Sequence, residues 1–275
     1  MRSTIGLVAR ILGALLGAAT GLVAVQLMRL RRMEFLPGHP GFYVNHVVRP
    51  PVGVPGASVL RLAVFGDSTT SGVGVDRAED SLPHLLAERI ARAHRRPVHV
   101  VSYGWSGARV GDLPSAQLPR AMRPLRATET EPFLPRTEVI AVVVGANDAT
   151  HRTPRARFRQ QLRDTLAQIG DAAPDAEVVL AGIPPLRGAL PEMEPLIFLA
   201  EQWARVLRAV ARDEAAQAGV RYADLAVELP RRIRGRGDVL ASDRFHPSAE
   251  GYRAWAGVIG DALFGDQTEA PARHA

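Results

Sequence analysis

The sequence predicts an α/β fold: a three-layer α/β/α domain on a mainly parallel five-stranded sheet, preceded by an N-terminal membrane helix. Three observations carry this expectation. Apolar strand-like runs alternate with amphipathic helical stripes from Val59 onward, the pattern of strands joined by crossover helices. Runs such as Glu138-Val-Ile-Ala-Val-Val-Val144 are too continuously apolar for a half-exposed sheet and suit parallel strands covered on both faces. No charged residue occurs from Ile11 to Met28. A helix of that length spans roughly 27 Å, close to the ~30 Å hydrocarbon core of a bilayer.

In chain order, the apolar N-terminal segment comes first. A cleavable signal peptide would need a shorter apolar core and a small-residue cleavage site, which the Ala24-Val-Gln26 neighbourhood does not offer. A buried core helix would show a polar face, and this segment has none. The segment therefore reads as a single-pass membrane anchor. Gly13, Gly17 and Gly21 recur at spacing four, which permits close approach of a second such helix and a weak homodimer. Arg2 and Arg10 lie on one side of the span and Arg29, Arg31 and Arg32 on the other, so the charge comparison is nearly balanced and the topology stays open. Pro and Gly are dense from Pro37 to Ser58, the composition of a semi-extended linker.

Strands are then expected over 59–65, 98–103, 138–144, 177–183 and, briefly, 219–223. Between them, Leu82, Leu85, Leu86 and Ile90 form one helical stripe, and Phe158, Leu162, Leu166 and Ile169 another. Leu199, Trp203, Val206, Leu207 and Val210 form a third, and Tyr252, Trp255, Ile259 and Leu263 mark the last helix. The expected division is an anchor over 1–34, a linker over 35–58, the α/β domain over 59–265 and a polar tail over 266–275.

Composition excludes several functions. The net charge is +6 and every basic side chain other than histidine is arginine. The arginines are scattered, and aromatic residues make up only 5%, so no stripe for nucleic acid is present. Without cysteine there is no disulfide framework, zinc–thiolate site or cysteine nucleophile. The histidines do not fall at metal-ligand spacing, which disfavours a metal hydrolase. Gly72-Val-Gly74 lacks the third glycine of a dinucleotide loop, and a chain without lysine has no Walker lysine. Neither a metal nor an organic cofactor is expected.

A parallel sheet collects functional residues at the C-terminal ends of its strands. The first expected strand ends in Gly66-Asp67-Ser68 and the second in Tyr103-Gly-Trp-Ser-Gly107. The third ends in Gly145-Ala-Asn-Asp148, and Ser242-Asp-Arg-Phe-His-Pro247 precedes the last helix. A serine hydroxyl is a poor nucleophile until a base takes its proton. His246 is the best candidate base, lying in a polar loop three residues after an aspartate and just before a helix. Asp243 can accept from one imidazole nitrogen and leave the other facing Ser68.

These blocks, GDS, a glycine-bearing second block, GxND and DxxHP, in this order and at these boundaries, resemble the four signature blocks of the SGNH (GDSL-type) hydrolase superfamily. The resemblance covers about residues 59–265. It implies a flavodoxin-like sheet and a serine-dependent ester hydrolase working through an acyl-enzyme on lipid, acyl-sugar or small-molecule esters. Ser68, His246 and Asp243 would be catalytic, and Ser68, Gly107 and Asn147 would donate to the oxyanion. Gly107, rather than Gly104, takes the second-block position because it follows Ser106 as in the family's SG pair. Thr69 stands where the family name has Leu, and Ser102 where members often carry Asn, which bears on a supporting hydrogen bond. Asp67 and Asp148 are expected to tie adjacent loops together. Pro184 to Phe198, with Leu186, Leu190, Met193, Leu196, Ile197 and Phe198 among prolines, is a candidate wall of an acyl pocket or a loop packed on its own domain. An acyltransferase using the same acyl-enzyme, and a membrane-tethered binding module without catalysis, are the alternatives.

Overall fold

The computed structural model describes residues 2–32, 36–39, 41–126, 130–187 and 193–265. Six strands form one sheet: β1 (Asn45–Val48), β2 (Leu60–Gly66), β3 (Val98–Ser102), β4 (Val139–Val143), β5 (Glu177–Ala181) and β6 (Arg221–Ala223). Their spatial order is β1-β3-β2-β4-β5-β6. The last five pair in parallel, in the flavodoxin-like order, and β1 is antiparallel to β3.

The sheet divides the core in two because successive side chains point to opposite faces. Leu62 and Val64 of β2 pack with α3 (Leu82–His94) and α9 (Ala249–Phe264), through Leu86, Ile90, Tyr252 and Ile259. Ala63 and Phe65 pack on the other face with α6 (Arg155–Ala172) and α7 (Leu196–Ala218), through Leu162, Leu166, Leu207 and Val210. Double burial accounts for the near-continuous apolar strands. The stripes expected on α3, α6 and α9 are all buried.

Two expectations need correction. The sheet has six strands instead of five, because the proline- and glycine-rich stretch read as a linker carries β1. Asn45 to Val48 pairs with Val101 to Val98, and Val44 and Val48 are buried. A four-residue strand flanked by prolines leaves little periodicity to read. On α7, Leu199 and Val206 face outward, while Glu201, Ala204, Leu207, Arg208 and Ala211 form the buried face. Three buried charged residues, Glu201, Arg208 and Glu214, hide the true stripe. The tail expected over 266–275 lies outside the described residues.

Helix α1 (Arg2–Arg32) is long and apolar enough from Gly6 to Arg29 to cross a membrane. Its apolar side chains are not taken up by the domain: Leu12, Leu15 and Leu16 are 60–70% exposed. Gly13, Gly17 and Gly21 likewise face open space.

Candidate active site

The site is built at the C-terminal ends of β2, β3 and β4, and each strand turns away sharply there. Gly66 closes β2 where the backbone of β4 crosses: a Cβ at Gly66 would lie 2.0 Å from the carbonyl oxygen of Val143. Asp67 then caps a one-turn helix, α2 (Ser68–Ser71), its side chain accepting from the Thr69 N–H at 3.0 Å. Ser68 is therefore the first helical residue, in the turn whose amides have no intrahelical acceptor. Thr69, the departure from the family pattern, also donates its hydroxyl to Asp67 at 2.8 Å. Burial pushes the Asp67 carboxyl above its ordinary range, against the lowering effect of the two Thr69 bonds.

The loop after β3 rests on this turn. A Cβ at Gly104 would meet the Thr70 hydroxyl and the carbonyl oxygens of Gly66 and Asp67, so only glycine lets the two backbones approach. Ser102 donates its hydroxyl to the Thr70 carbonyl at 2.7 Å, which ties the end of β3 to α2. Gly107 has φ +82, is exposed, and has nothing within 4 Å of where its Cβ would be.

Beyond β4, Gly145 (φ +118) precedes α5 (Ala146–Thr150). Asn147 donates from Nδ2 to the Ala108 carbonyl at 3.0 Å, and Asp148 accepts from the Val110 N–H at 2.9 Å. Both bonds bind the loop carrying Gly107 to α5, so Asp148 ties loops together as expected. Burial raises the Asp148 carboxyl from its usual range, partly offset by the Val110 bond.

The loop before α9 completes the arrangement. Asp243 Oδ1 accepts from the backbone N–H groups of Phe245 and His246 at 3.0 and 2.9 Å. Its Oδ2 lies 2.6 Å from His246 Nδ1, and His246 Nε2 lies 3.1 Å from Ser68 Oγ. Burial alone would raise the Asp243 carboxyl, but the bonds from the His246 ring and the two N–H groups hold it below the ordinary range. It accepts as a carboxylate, which leaves His246 Nδ1 to carry the proton and Nε2 to face the serine. Ser68 and His246 are buried at 7% and 6% exposure.

The serine and histidine open into a cavity of about 220 Å³. Its walls are mainly apolar, with Leu186, Leu229, Ile233, Leu240, Phe245 and Trp255 among them, and Asn147 joins Ser68 and His246 as a polar lining group. The segment after β5 contributes Pro184, Pro185, Leu186 and Arg187 to this wall. Met193 and Ile197 pack instead beneath Phe245, Phe198 is exposed, and Leu190 lies outside the described residues.

The sequence thus placed Ser68, His246 and Asp243 in one hydrogen-bonded row and Asn147 on the same cavity. Gly107 joins only through its neighbour Ala108. Two supports carry no motif. Gln117, fully buried in the π-helical turn Leu113–Gln117, accepts from the Gly66 N–H at 2.9 Å and donates to the Gly66 carbonyl at 2.7 Å. A buried ion pair on α7 holds the cavity wall: Arg208 bonds Glu201 at 2.6 Å and the Ile183 carbonyl at 2.8 Å, and Glu201 accepts from the Leu186 N–H at 2.8 Å. Burial works against the Glu201 carboxylate, yet Arg208 and the Leu186 N–H hold it below its ordinary range. A polar residue on an otherwise apolar helix face was the only signal for that pair. Among the described residues, no group of three or more His, Asp or Glu side chains gathers to hold a metal.

The model of the GDSL-like lipase/acylhydrolase family matches residues 64–254, from within β2 into α9. The chain belongs to that family. Membership makes it a carboxylic ester hydrolase. Solved structures with the same fold include a lipase/acylhydrolase from Enterococcus faecalis, 23% identical over 73% of this chain and 93% of that one, with a TM-score of 0.55. A phospholipase A1 from Streptomyces albidoflavus is 22% identical over 74% and 100%, with a TM-score of 0.55. An acetylxylan esterase from Geobacillus stearothermophilus is 17% identical over 78% and 96%, with a TM-score of 0.54. None of the curated proteins matches the chain. For this GDSL-like enzyme, the matched residues contain all four blocks, whereas α1 and β1 lie outside them.

Proposed function

We propose that the protein is a serine esterase that cleaves esters of apolar acyl groups through an acyl-enzyme, anchored to a membrane by Gly6 to Arg29. The observation that carries this reading is the Ser68–His246–Asp243 row, at 3.1 and 2.6 Å, opening into an apolar cavity. Ser68 Oγ attacks the ester carbonyl carbon while His246 Nε2 takes the hydroxyl proton, and Asp243 stabilises the imidazolium that forms. The carbonyl oxygen becomes an oxyanion, for which the N–H groups of Ser68 and Gly107 and the second N–H of the Asn147 amide are the proposed donors. Collapse breaks the ester C–O bond, and the alcohol leaves with the proton from His246. Water, deprotonated by the same nitrogen, then attacks the acyl-Ser68 carbonyl; the bond to Ser68 Oγ breaks, His246 returns the proton to Oγ, and the carboxylic acid is released.

The apolar walls suit an acyl chain of a lipid, acylated sugar or small-molecule ester. The exposed apolar side chains of α1 support a lipid environment for that helix. The test is a panel of p-nitrophenyl esters of increasing chain length, with fluorophosphonate labelling of the full chain and of S68A. Hydrolysis and labelling confined to the parent chain support the reading. A parent chain that neither turns over any ester nor takes the label at Ser68 overturns it.

A further inference from the structure

Among the described residues between α1 and β1, Leu36, Gly38 and Phe42 each touch a different loop of the site. The N–H of Leu36 donates to Asp243 Oδ2 at 3.3 Å, although 207 positions separate the two residues. Gly38 packs so closely on Ser106 that a Cβ there would come within 2.9 Å of the serine Cβ. Phe42 lies against Gly72, just after the nucleophile's turn, and packs into the core beneath α3.

A second contact reaches the same acid–base loop from α1 itself. Gln26 is the one polar residue between Leu22 and Met28, and it is only 5% exposed. Its amide donates to the Glu194 carbonyl and accepts from the Leu196 N–H at 3.1 Å, at the start of α7. Met193 and Ile197, on either side of that contact, form the small cluster on which Phe245 packs, and Phe245 adjoins His246 with ring centroids 5.2 Å apart.

Asp243 shows why this matters. Oδ1 is satisfied by N–H groups of its own loop, whereas Oδ2, the oxygen facing the imidazole, takes one bond from His246 and one from Leu36. The Leu36 N–H therefore fixes the carboxylate plane against His246 Nδ1. We propose that Gln26, near the end of α1, and Leu36 are positioning residues of the active site, with the Leu36 N–H and the Gln26 amide orienting the Asp243–His246 loop. A flexible tether would bring the domain to a surface and do no more. Here Gln26 and Leu36 hold the general base in register. This inference rests on the roles proposed above for Ser68, His246 and Asp243.

Leu36→Pro removes the donor, whereas Leu36→Ala keeps it and removes only the side chain. Gln26→Leu removes the amide and preserves the apolar character of α1. The full chain in phosphatidylcholine vesicles is assayed with a p-nitrophenyl ester, and its Tm is recorded to establish folding. We expect kcat to fall about tenfold or more in Leu36→Pro and about threefold in Gln26→Leu with KM within twofold, as misorientation of a catalytic group predicts, and Leu36→Ala to stay within twofold of the parent. The proton resonance of His246 Nδ1–H, followed in detergent micelles, should move upfield and exchange faster with water in Leu36→Pro only. That resonance reports the Asp243 contact without turnover, so it tests the positioning role even if no ester is hydrolysed. Parent-like kcat and resonance in folded Leu36→Pro, or equal losses in Leu36→Pro and Leu36→Ala, would overturn the proposal. Should Leu36→Pro fail to fold, parent-like kcat in Gln26→Leu does the same.

Discussion

The two halves of the site are prepared to different degrees. The acid–base half is closed before any substrate arrives: Ser68, His246 and Asp243 are joined by bonds of 3.1 and 2.6 Å, and Asp243 uses both oxygens. The half proposed to bind the oxyanion is more open, with Gly107 exposed and Asn147 spending one N–H on the Ala108 carbonyl. Proton transfer needs its partners aligned at the outset, since an imidazole in the wrong tautomer cannot act as a base. An oxyanion exists only during reaction, so its donors can sit at the rim provided their loop is held in place. The Asn147 and Asp148 bonds to residues 108 and 110 hold that loop.

This contrast predicts graded effects. On the closed half, Ser68→Ala should lower kcat about 10⁶-fold and Asp243→Asn about 10⁴-fold, with KM little changed, measured on the best ester of the panel. On the open half, Asn147→Ala should cost about 10²- to 10³-fold in kcat, the usual loss for one oxyanion donor. A loss as large as that of Asp243→Asn would mean the two halves are equally committed, which would break the contrast.

The wall of the cavity supplies a stability test. Glu201→Ala leaves Arg208 buried without its partner and should destabilise the chain by about 3 kcal/mol in denaturant unfolding. Because the folded Glu201 carboxyl is held below its ordinary value, its contribution is present above the unfolded pKa and lost as pH falls through the folded one. The stability gap between the parent chain and Glu201→Gln should therefore narrow as pH falls below the ordinary glutamate range. The smallest effect belongs to Gly107→Ala, which keeps the N–H and has open space for the methyl group. It should cost about 1 kcal/mol of stability for a non-glycine residue at φ +82, and less than tenfold in kcat. A loss like that of Asn147→Ala would show a substrate passing closer to this position than its open surroundings suggest.

Legibility followed the range of the interaction. Five strands were readable to within about two residues: double burial writes mainly apolar runs into β2, β3, β4 and β5, while the edge strand β6 shows only as a brief stretch. Ser68 and Asn147 were readable because a parallel sheet sends its chemistry to strand ends, and Asp243 and His246 because a short DxxHP block stands out just before the last helix. β1 was lost because its four residues owe their strand to the edge of β3 and not to a pattern of their own. Gln117, Glu201 and Leu36 were lost because each acts on a backbone or side-chain group that only folding brings near: Gln117 on Gly66, 51 positions away, and Leu36 on Asp243. A buried amide and a backbone N–H have no signature in a single sequence.

The amide of Gln117 has one further implication. The pairing of β2 with β3 ends at Val64 and Ser102, yet Gly66 continues to bond β4 on its other side. On the vacated side a side chain imitates a peptide group, offering one donor and one acceptor where a neighbouring strand would have offered the same two. The sheet is in effect one residue pair wider there than its strands, and the polypeptide after β3 is released from ladder duty. It can bulge, lengthen or change course over the cavity while the peptide two residues before Ser68 stays anchored.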